Sequence, residues 1–148
     1  MPKRDVHAVA GLIAGFATGL ATAELVETQH RPMHVLVCSL SGMGGGVMPD
    51  ILEPAVSPNH RSVAHSLVAA GGLVVAAKAS YHVKCLERAA ACEQRAALLV
   101  VGSQEWGKER RSAAAWRVIA ASALGFVAGY ASHLVLDGAT PRSLPVVV

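Results

Sequence analysis

Aromatic and charged side chains are both scarce in this chain of 148 residues. Aromatic types make up 4% and charged types 16%, whereas ordinary soluble domains carry roughly 25% charged residues. So few aromatics leave no platform on which bases could stack, and a net charge of +3 is too small and too dispersed for a nucleic-acid footprint. Hydrophobic types reach 53%, which excludes intrinsic disorder. The composition argues against a nucleic-acid partner and favours a membrane protein.

A CxxC pair is also missing. The three cysteines, Cys38, Cys85 and Cys92, are odd in number and widely spaced, which argues against a disulfide framework. We expect them to be small apolar residues of the core. The length is that of one domain with one core, so we predict a single domain over residues 1–148.

Four apolar stretches contain no acidic residue and are the candidates for membrane spans: Val6 to Ala23, Met33 to Met48, Val63 to Ala79 and Ala113 to Leu136. A span requires about 20 predominantly apolar residues, so the first and last qualify and the third is marginal. The second contains Gly42 and three consecutive glycines at 44–46, and each glycine weakens a helix by about 1 kcal/mol relative to Ala. We therefore expect the second stretch to be short or re-entrant, ending near Pro49.

Small residues recur at helical spacing in these stretches. Glycines occupy positions 11, 15 and 19 in the first stretch and positions 125 and 129 in the last. This spacing leaves a bare ridge on one helix face, where a second helix can approach closely. A tightly packed soluble bundle would use the same residues. Because no segment alternates polar and apolar residues, we predict an all-α fold, a small helical bundle embedded in a membrane, with residues 81–111 as a solvated, helix-prone connector.

Aspartate is scarce, with three in the chain, whereas histidine is abundant, with seven. His133 and Asp137 are four residues apart near the end of the last apolar stretch, so both side chains can point at one ion from one helix face. Asp137 would lie in the last helical turn, which carries partial negative charge and favours a cation. A structural hydrogen-bonded pair has the same spacing, so this pair alone leaves both interpretations open.

A second set of polar residues surrounds the proline-rich loop after the second apolar stretch: Asp50, Glu53, His60, Arg61 and His65. Loops held on a scaffold commonly carry functional groups. At the mouth of an apolar bundle such side chains are costly unless they are paired or coordinate a metal. Other roles are open for three of them, since His60 could cap a helix, His65 could be a satisfied core histidine and Arg61 could face solvent or lipid.

The remaining histidines divide into two groups. His7 lies in the first turn of the first apolar helix, where a lone histidine would usually be incidental. His30, His34 and His82 lie in connectors or at segment edges without a neighbouring carboxylate. We assign these three to surface or packing roles.

The order of these motifs resembles one known family. The set covers residues 7 to about 145 and consists of His7 before a glycine-rich helix, followed by Pro49-Asp50, His60-Arg61, His65-Ser66, His133 to Asp137 and Thr140-Pro141. It resembles the YdjM-like family of membrane-bound metal-dependent hydrolases, and the joint occurrence of the pieces is more specific than any one alone. The resemblance implies a multi-pass helical bundle of the inner membrane with a metal site, distantly similar to the helical group of zinc-dependent phospholipase C and P1 nuclease.

Carried over position by position, the resemblance implies the metal ligands His7, Asp50, His65, His133 and Asp137, with His60 as a further member. Relatives place another aspartate two residues after the PD aspartate, where this chain has Leu52, so a second metal ion would need Glu53 as a substitute. Imidazole and carboxylate ligands suit one or two zinc ions, with manganese as the next candidate. Arg61 would clamp a phosphate oxygen, because its planar fork fits that group.

The activity implied is hydrolysis of a phosphoester, either a small molecule or a lipid of the surrounding membrane, by water that the metal activates. A rival interpretation is a non-catalytic integral membrane protein in which the same residues form a structural metal site or polar network. A soluble helical phosphoesterase is a third.

Overall fold

A computed structural model describes residues 4–52, 71 and 82–139 of the chain. Over these ranges it forms four α helices: α1 (Arg4–Ala21), α2 (Arg31–Leu52), α3 (His82–Ala97) and α4 (Gln104–Gly138). Two single turns of 3-10 helix, Ala23–Leu25 and Thr28–His30, connect α1 to α2. No strand occurs within the described ranges, which confirms the predicted all-α class.

Glycines set the distance between α1 and α2, which run antiparallel. Gly11 of α1 faces Gly42 and Gly46 of α2, and Gly15 faces Cys38 and Gly42. At Gly11 and Gly42 an added Cβ would collide with the carbonyl oxygen of the other glycine. The two backbones are therefore in direct contact, which is the close packing that small residues allow between helices.

Glycines also bring α4 against α2, and the two helices run parallel. Gly125 packs on the backbone of Cys38, and Gly129 packs on the backbone of Gly42. One glycine of α2, Gly42, is thus enclosed by α1 on one side and α4 on the other. The predicted glycine ridges are confirmed as helix contacts, and they draw three helices around a shared line of small residues.

The expectation that the second apolar stretch is short or re-entrant is wrong. α2 is one helix of 22 residues that continues through Gly44, Gly45 and Gly46 and contains Pro49 within its last turn. The intrinsic cost of glycine in a helix is about 1 kcal/mol, but Gly42, Gly45 and Gly46 are buried where larger residues would prevent contact with α1 or α4. Tertiary packing outweighs local propensity here, as it commonly does in proteins.

The predicted connector is more than a solvated linker, because α3 packs along the first half of α4. Its buried stripe follows helical spacing and consists of His82, Cys85, Ala89, Cys92 and Ala96. Ion pairs flank the stripe, with Arg117 and Arg110 on Glu93, and Arg95 on Glu109 at 2.9 Å. Ser103 precedes α4 and caps it, because its side chain accepts a hydrogen bond from the backbone N–H of Trp106.

Large hydrophobic side chains lie outside the bundle and small ones inside it. The buried apolar residues of the described ranges are mostly alanine and cysteine, including all three cysteines, as predicted. The outer face of α1 carries Val9, Ile13, Phe16 and Leu20, each 48–59% exposed. Within the described ranges two helical segments are long and apolar enough to cross a membrane, Thr28–Leu52 and Gln104–Gly138. α1 is not one of them, because its 18 residues include the polar residues of its first turn, which lower its mean hydropathy.

Substituting Gly42 by alanine should destabilise the protein by about 1–3 kcal/mol, the usual cost of overpacking a tight contact. Gly44→Ala is the matched control on the same helix, since an added Cβ there meets nothing within 4 Å and alanine favours the helix by up to about 1 kcal/mol. Denaturant-induced unfolding in detergent micelles measures both. Equal effects of the two substitutions would contradict the packing described.

Candidate metal centre

Three helix ends meet at one end of the bundle and bring two imidazoles and two carboxylates together. His7 comes from the first turns of α1, Asp50 from the last turn of α2, and His133 and Asp137 from the end of α4. His7, His133 and Asp137 are 2%, 0% and 1% exposed, whereas the Asp50 side chain is 26% exposed. We call these four residues the acid–histidine cluster.

Asp137 faces the Nε2 atoms of both imidazoles of this cluster. Its Oδ1 is 3.5 Å from His7 Nε2, and its Oδ2 is 3.5 Å from His133 Nε2. The two rings are stacked, with centroids 3.9 Å apart and planes inclined by 25°. Asp50 approaches from the side nearer the surface, with Oδ1 3.7 Å from His133 Nε2. The spacing of four residues does place His133 and Asp137 on one helix face, as the sequence predicts.

A backbone carbonyl orients His133. Its Nδ1 lies 2.7 Å from the carbonyl oxygen of Gly46, and since a carbonyl can only accept, Nδ1 carries the proton and donates it. Nε2 is then the nitrogen that faces Asp50 and Asp137. Ligating histidines commonly donate their other ring N–H in this way, which fixes the tautomer and the ring orientation. Gly46 has a second role, because a side chain there would collide with the backbone of His7.

The chemistry of the donor set fits a divalent cation. Metal bonds of about 2.0–2.2 Å to nitrogen and oxygen put neighbouring ligand atoms roughly 3 to 3.6 Å apart, close to the 3.5–3.7 Å separations found in this cluster. His7, Asp50 and His133 each offer a ligand atom within 4.8 Å of the other two. His7, Asp50 and His133 therefore form a set that a metal ion would fit with small side-chain movements, and Asp137 lies against both imidazoles.

Four of the predicted site residues lie outside the described ranges: Glu53, His60, Arg61 and His65. The roles of His60 and His65 as metal ligands, of Arg61 as a phosphate clamp and of Glu53 as a substitute metal ligand therefore stay predictions. Four of the six predicted metal ligands are described, and the structure brings all four together. They come from parts of the chain up to 130 residues apart, since the cluster joins position 7 to position 137.

A second group with ligand chemistry is better explained by ion pairing. His30 Nε2 lies 3.8 Å from Glu27 Oε2 and 3.7 Å from Glu93 Oε1. Glu93 also forms ion pairs with Arg110 and Arg117, so its charge is already compensated. Exposed acidic groups paired in this way need no metal, and such networks contribute modestly to stability.

Two histidines for which the sequence leaves a surface or a packing role open are buried. His34 and His82, assigned to surface or packing roles, are each 5% exposed, and their ring centroids are 6.2 Å apart. Burial lowers the pKa of His82, so its ring is neutral at physiological pH. The sequence signal for this burial is helical spacing. His82 is the first residue of the buried stripe of α3, and His34 precedes the buried Cys38 by one helical turn.

Comparisons with known proteins give no assignment, since no family model matches the chain, no curated protein resembles it significantly and no solved structure does so.

Manganese(II) should stabilise the wild-type protein against heat, by roughly 5 to 10 °C at about 100 times the dissociation constant. Manganese is the probe because it prefers nitrogen and oxygen donors to thiolates. His133→Ala should abolish the shift, and Asp50→Asn, a milder change at a partly exposed position, should reduce it. His30→Ala is the matched control and should leave it intact. A wild-type protein that manganese does not stabilise, or a shift that survives in both cluster variants, would contradict a metal centre here.

Proposed function

We propose that this chain is a membrane-embedded, metal-dependent hydrolase that cleaves a phosphoester. The observation that carries the proposal is the meeting of His7, Asp50 and His133, from three helices, at the end of the bundle, with Asp137 against both imidazoles. The resemblance of the motif order to the YdjM-like hydrolases supports the same conclusion from the sequence.

The distribution of hydrophobic side chains supports the membrane part of the proposal. In water, the exposed valine, leucine and phenylalanine side chains of α1 and α2 would be a large unfavourable apolar surface. Lipid removes that cost, and it also explains a core built of small residues, since helices in a bilayer associate through close packing rather than through burial of large side chains. We place the protein in the inner membrane, with several helices crossing.

The chain should therefore stay with the membrane fraction after cell lysis and an alkaline carbonate wash, and should need detergent for release. A chain recovered in the supernatant of the wash would support the soluble phosphoesterase instead.

The chemistry follows from the donor set. A divalent ion, zinc in the first place and manganese in the second, supplies Lewis acidity when bound, which lowers the pKa of water and offsets negative charge on a phosphoester. His133 is held for this by the Gly46 carbonyl. Asp137 presents one oxygen beside Nε2 of each imidazole, where it would share the ion with them. Asp50, the most exposed of the four, lies on the side from which substrate must approach.

A lipid-like substrate is favoured by the surface beside the cluster. An apolar groove lies between α1 and α4, lined by Asp5, Val6, Val9, Ala10, Ile13 and Leu136. Val6 and Leu136 are the chain neighbours of His7 and Asp137, so the groove lies beside the helix ends that carry the cluster. An acyl chain in this groove would bring the phosphoester of its headgroup to the metal ligands.

The rival function is a structural metal site in a non-catalytic membrane protein. One observation favours it, namely that His7, His133 and Asp137 are at most 2% exposed, so that of the four side chains Asp50 alone offers appreciable surface to a substrate. In this interpretation the ion would tie the ends of three helices together and perform no chemistry.

Hydrolysis of bis(p-nitrophenyl) phosphate and of a short-chain phospholipid, by detergent-purified protein loaded with zinc or manganese, separates the two functions. Asp137→Asn and His133→Ala should each lower kcat at least about 100-fold, since even the loss of an outer partner of a ligand costs about 10- to 100-fold. Asp50→Asn tests the same claim at a position where folding is less at risk.

His30→Ala is the control for this assay and should retain the wild-type rate, because it changes a histidine far from the cluster. Stoichiometric metal binding by a wild-type protein that cleaves neither substrate would favour the structural role. A rate that survives Asp137→Asn and His133→Ala would show that the activity comes from elsewhere.

A further inference from the structure

The longest helix of the bundle, α4, is longer than a membrane is thick. It has 35 residues and is about 52 Å long at 1.5 Å per residue, whereas the hydrocarbon core of a bilayer is about 30 Å thick. Arg117 precedes Asp137 by 20 residues, which is about 30 Å along the helix. A membrane with the acid–histidine cluster at one surface therefore has Arg117 at the other, and the part of α4 before Arg117 lies outside it.

A layer of ion pairs marks the level of Arg117 as a membrane surface. Arg117 and Arg110 of α4 both form ion pairs with Glu93 of α3. His30, in the connection between α1 and α2, has its Nε2 3.7 Å from Oε1 of the same glutamate. Charged side chains are unfavourable in the hydrocarbon of a bilayer, so this layer lies at or beyond the edge of the lipid.

An aromatic contact typical of membrane surfaces lies in the same turn of α4. The guanidinium carbon of Arg88 is 4.6 Å from the ring centroid of Trp116, which is a cation–π contact. Tryptophan is enriched at the boundary between lipid and water, because its ring is apolar and its N–H is polar. Trp116 immediately precedes Arg117, so the two observations locate the boundary in one turn.

α3 and the part of α4 before Arg117 form a helical hairpin on the side opposite to the cluster. α3 runs antiparallel to α4, since His82 at its start lies 3.4 Å from the carbonyl oxygen of Ala120, and Arg95 near its end pairs with Glu109. From Ala120 to Glu109, α4 leads away from the cluster. The helical hairpin therefore projects from the membrane at the end that lacks the cluster.

Lysine and arginine are concentrated at the hairpin end of the protein. Of the nine within the described ranges, Arg4 alone lies at the cluster end. The chain has 13 in total, so the four outside the described ranges could not reverse this excess. Lysine and arginine near the ends of membrane spans stay on the cytoplasmic side. The eight at the hairpin end are Arg31, Lys84, Arg88, Arg95, Lys108, Arg110, Arg111 and Arg117.

We infer that the helical hairpin lies in the cytoplasm and that the acid–histidine cluster acts on a phospholipid of the outer leaflet, the leaflet that faces away from the cytoplasm. The inference rests on the proposed function and adds the side from which the substrate comes. The apolar groove between α1 and α4 lies beside the same helix ends as the cluster, so an acyl chain in it belongs to the outer leaflet.

Labelling of single introduced cysteines with a membrane-impermeant maleimide tests the orientation. The three natural cysteines are at most 4% exposed, so the wild-type protein gives the background. Leu52 ends α2 and Leu98 follows α3, and their side chains are 62% and 87% exposed. Leu52→Cys should be labelled in intact spheroplasts of a bacterial host, and Leu98→Cys should be labelled only in inverted membrane vesicles.

Leu40→Cys is the control for embedding, because Leu40 lies near the middle of α2 and is 52% exposed on the outside of the bundle. Lipid should protect it in both preparations. Labelling as complete as that of Leu98→Cys would show that the chain is not embedded, and would overturn both the inference and the membrane part of the proposed function. The reverse pattern for Leu52→Cys and Leu98→Cys would overturn the inference alone.

A substrate assay on spheroplasts separates the leaflet from the activity. Hydrolysis of a short-chain fluorescent phospholipid added from outside should need no permeabilisation and should be lost in His133→Ala. Hydrolysis only after permeabilisation would contradict the outer leaflet, and hydrolysis of a soluble phosphodiester in the medium but not of the lipid would contradict a lipid substrate. If neither is cleaved even after permeabilisation, the hydrolase proposal and the substrate assignment both fail, while the labelling pattern still decides the orientation.

Discussion

Direct contact between helix backbones at glycine is the constraint on which the rest of the structure depends. Gly42 is held between Gly11 and Gly15 of α1 on one side and Gly129 of α4 on the other. Because no side chain separates these three helices, their axes are close enough for short aspartate and histidine side chains to meet at the end of the bundle. Gly46 links the helix packing to the cluster. It lets α1 approach α2 closely, and its carbonyl oxygen orients His133.

This arrangement reverses the usual distribution of side chains in a soluble domain. In the described residues alanine, glycine, cysteine and histidine make up most of the interior, while most of the large aliphatic side chains and phenylalanine lie outside. A bilayer makes both halves of that arrangement favourable, because lipid solvates the large side chains and close backbone contact holds the small ones. The polar side chains inside are then expensive unless they bind something, which is why the buried imidazoles and carboxylates carry the functional proposal.

The sequence predicted the helical class, the glycine ridges and the burial of the cysteines, since all three follow from composition and spacing. The meeting of His133 with Asp137 also follows, because four residues are one helical turn. The continuity of α2 could not be read from the sequence, where Gly44 to Gly46 indicate a weak helix, because the contacts that stabilise it come from α1 and α4. For the same reason the sequence leaves a surface role and a packing role open for His34 and His82, because their burial depends on how the helices pack.

Anomalous diffraction at the zinc absorption edge, on crystals of the detergent-purified protein grown with zinc, tests the central claim most directly. The account predicts a peak enclosed by His7, Asp50, His133 and Asp137, with bonds of about 2.0–2.2 Å to their nitrogen and oxygen atoms. Density that shows these four side chains bonded only to one another, with zinc absent from between them, would contradict it.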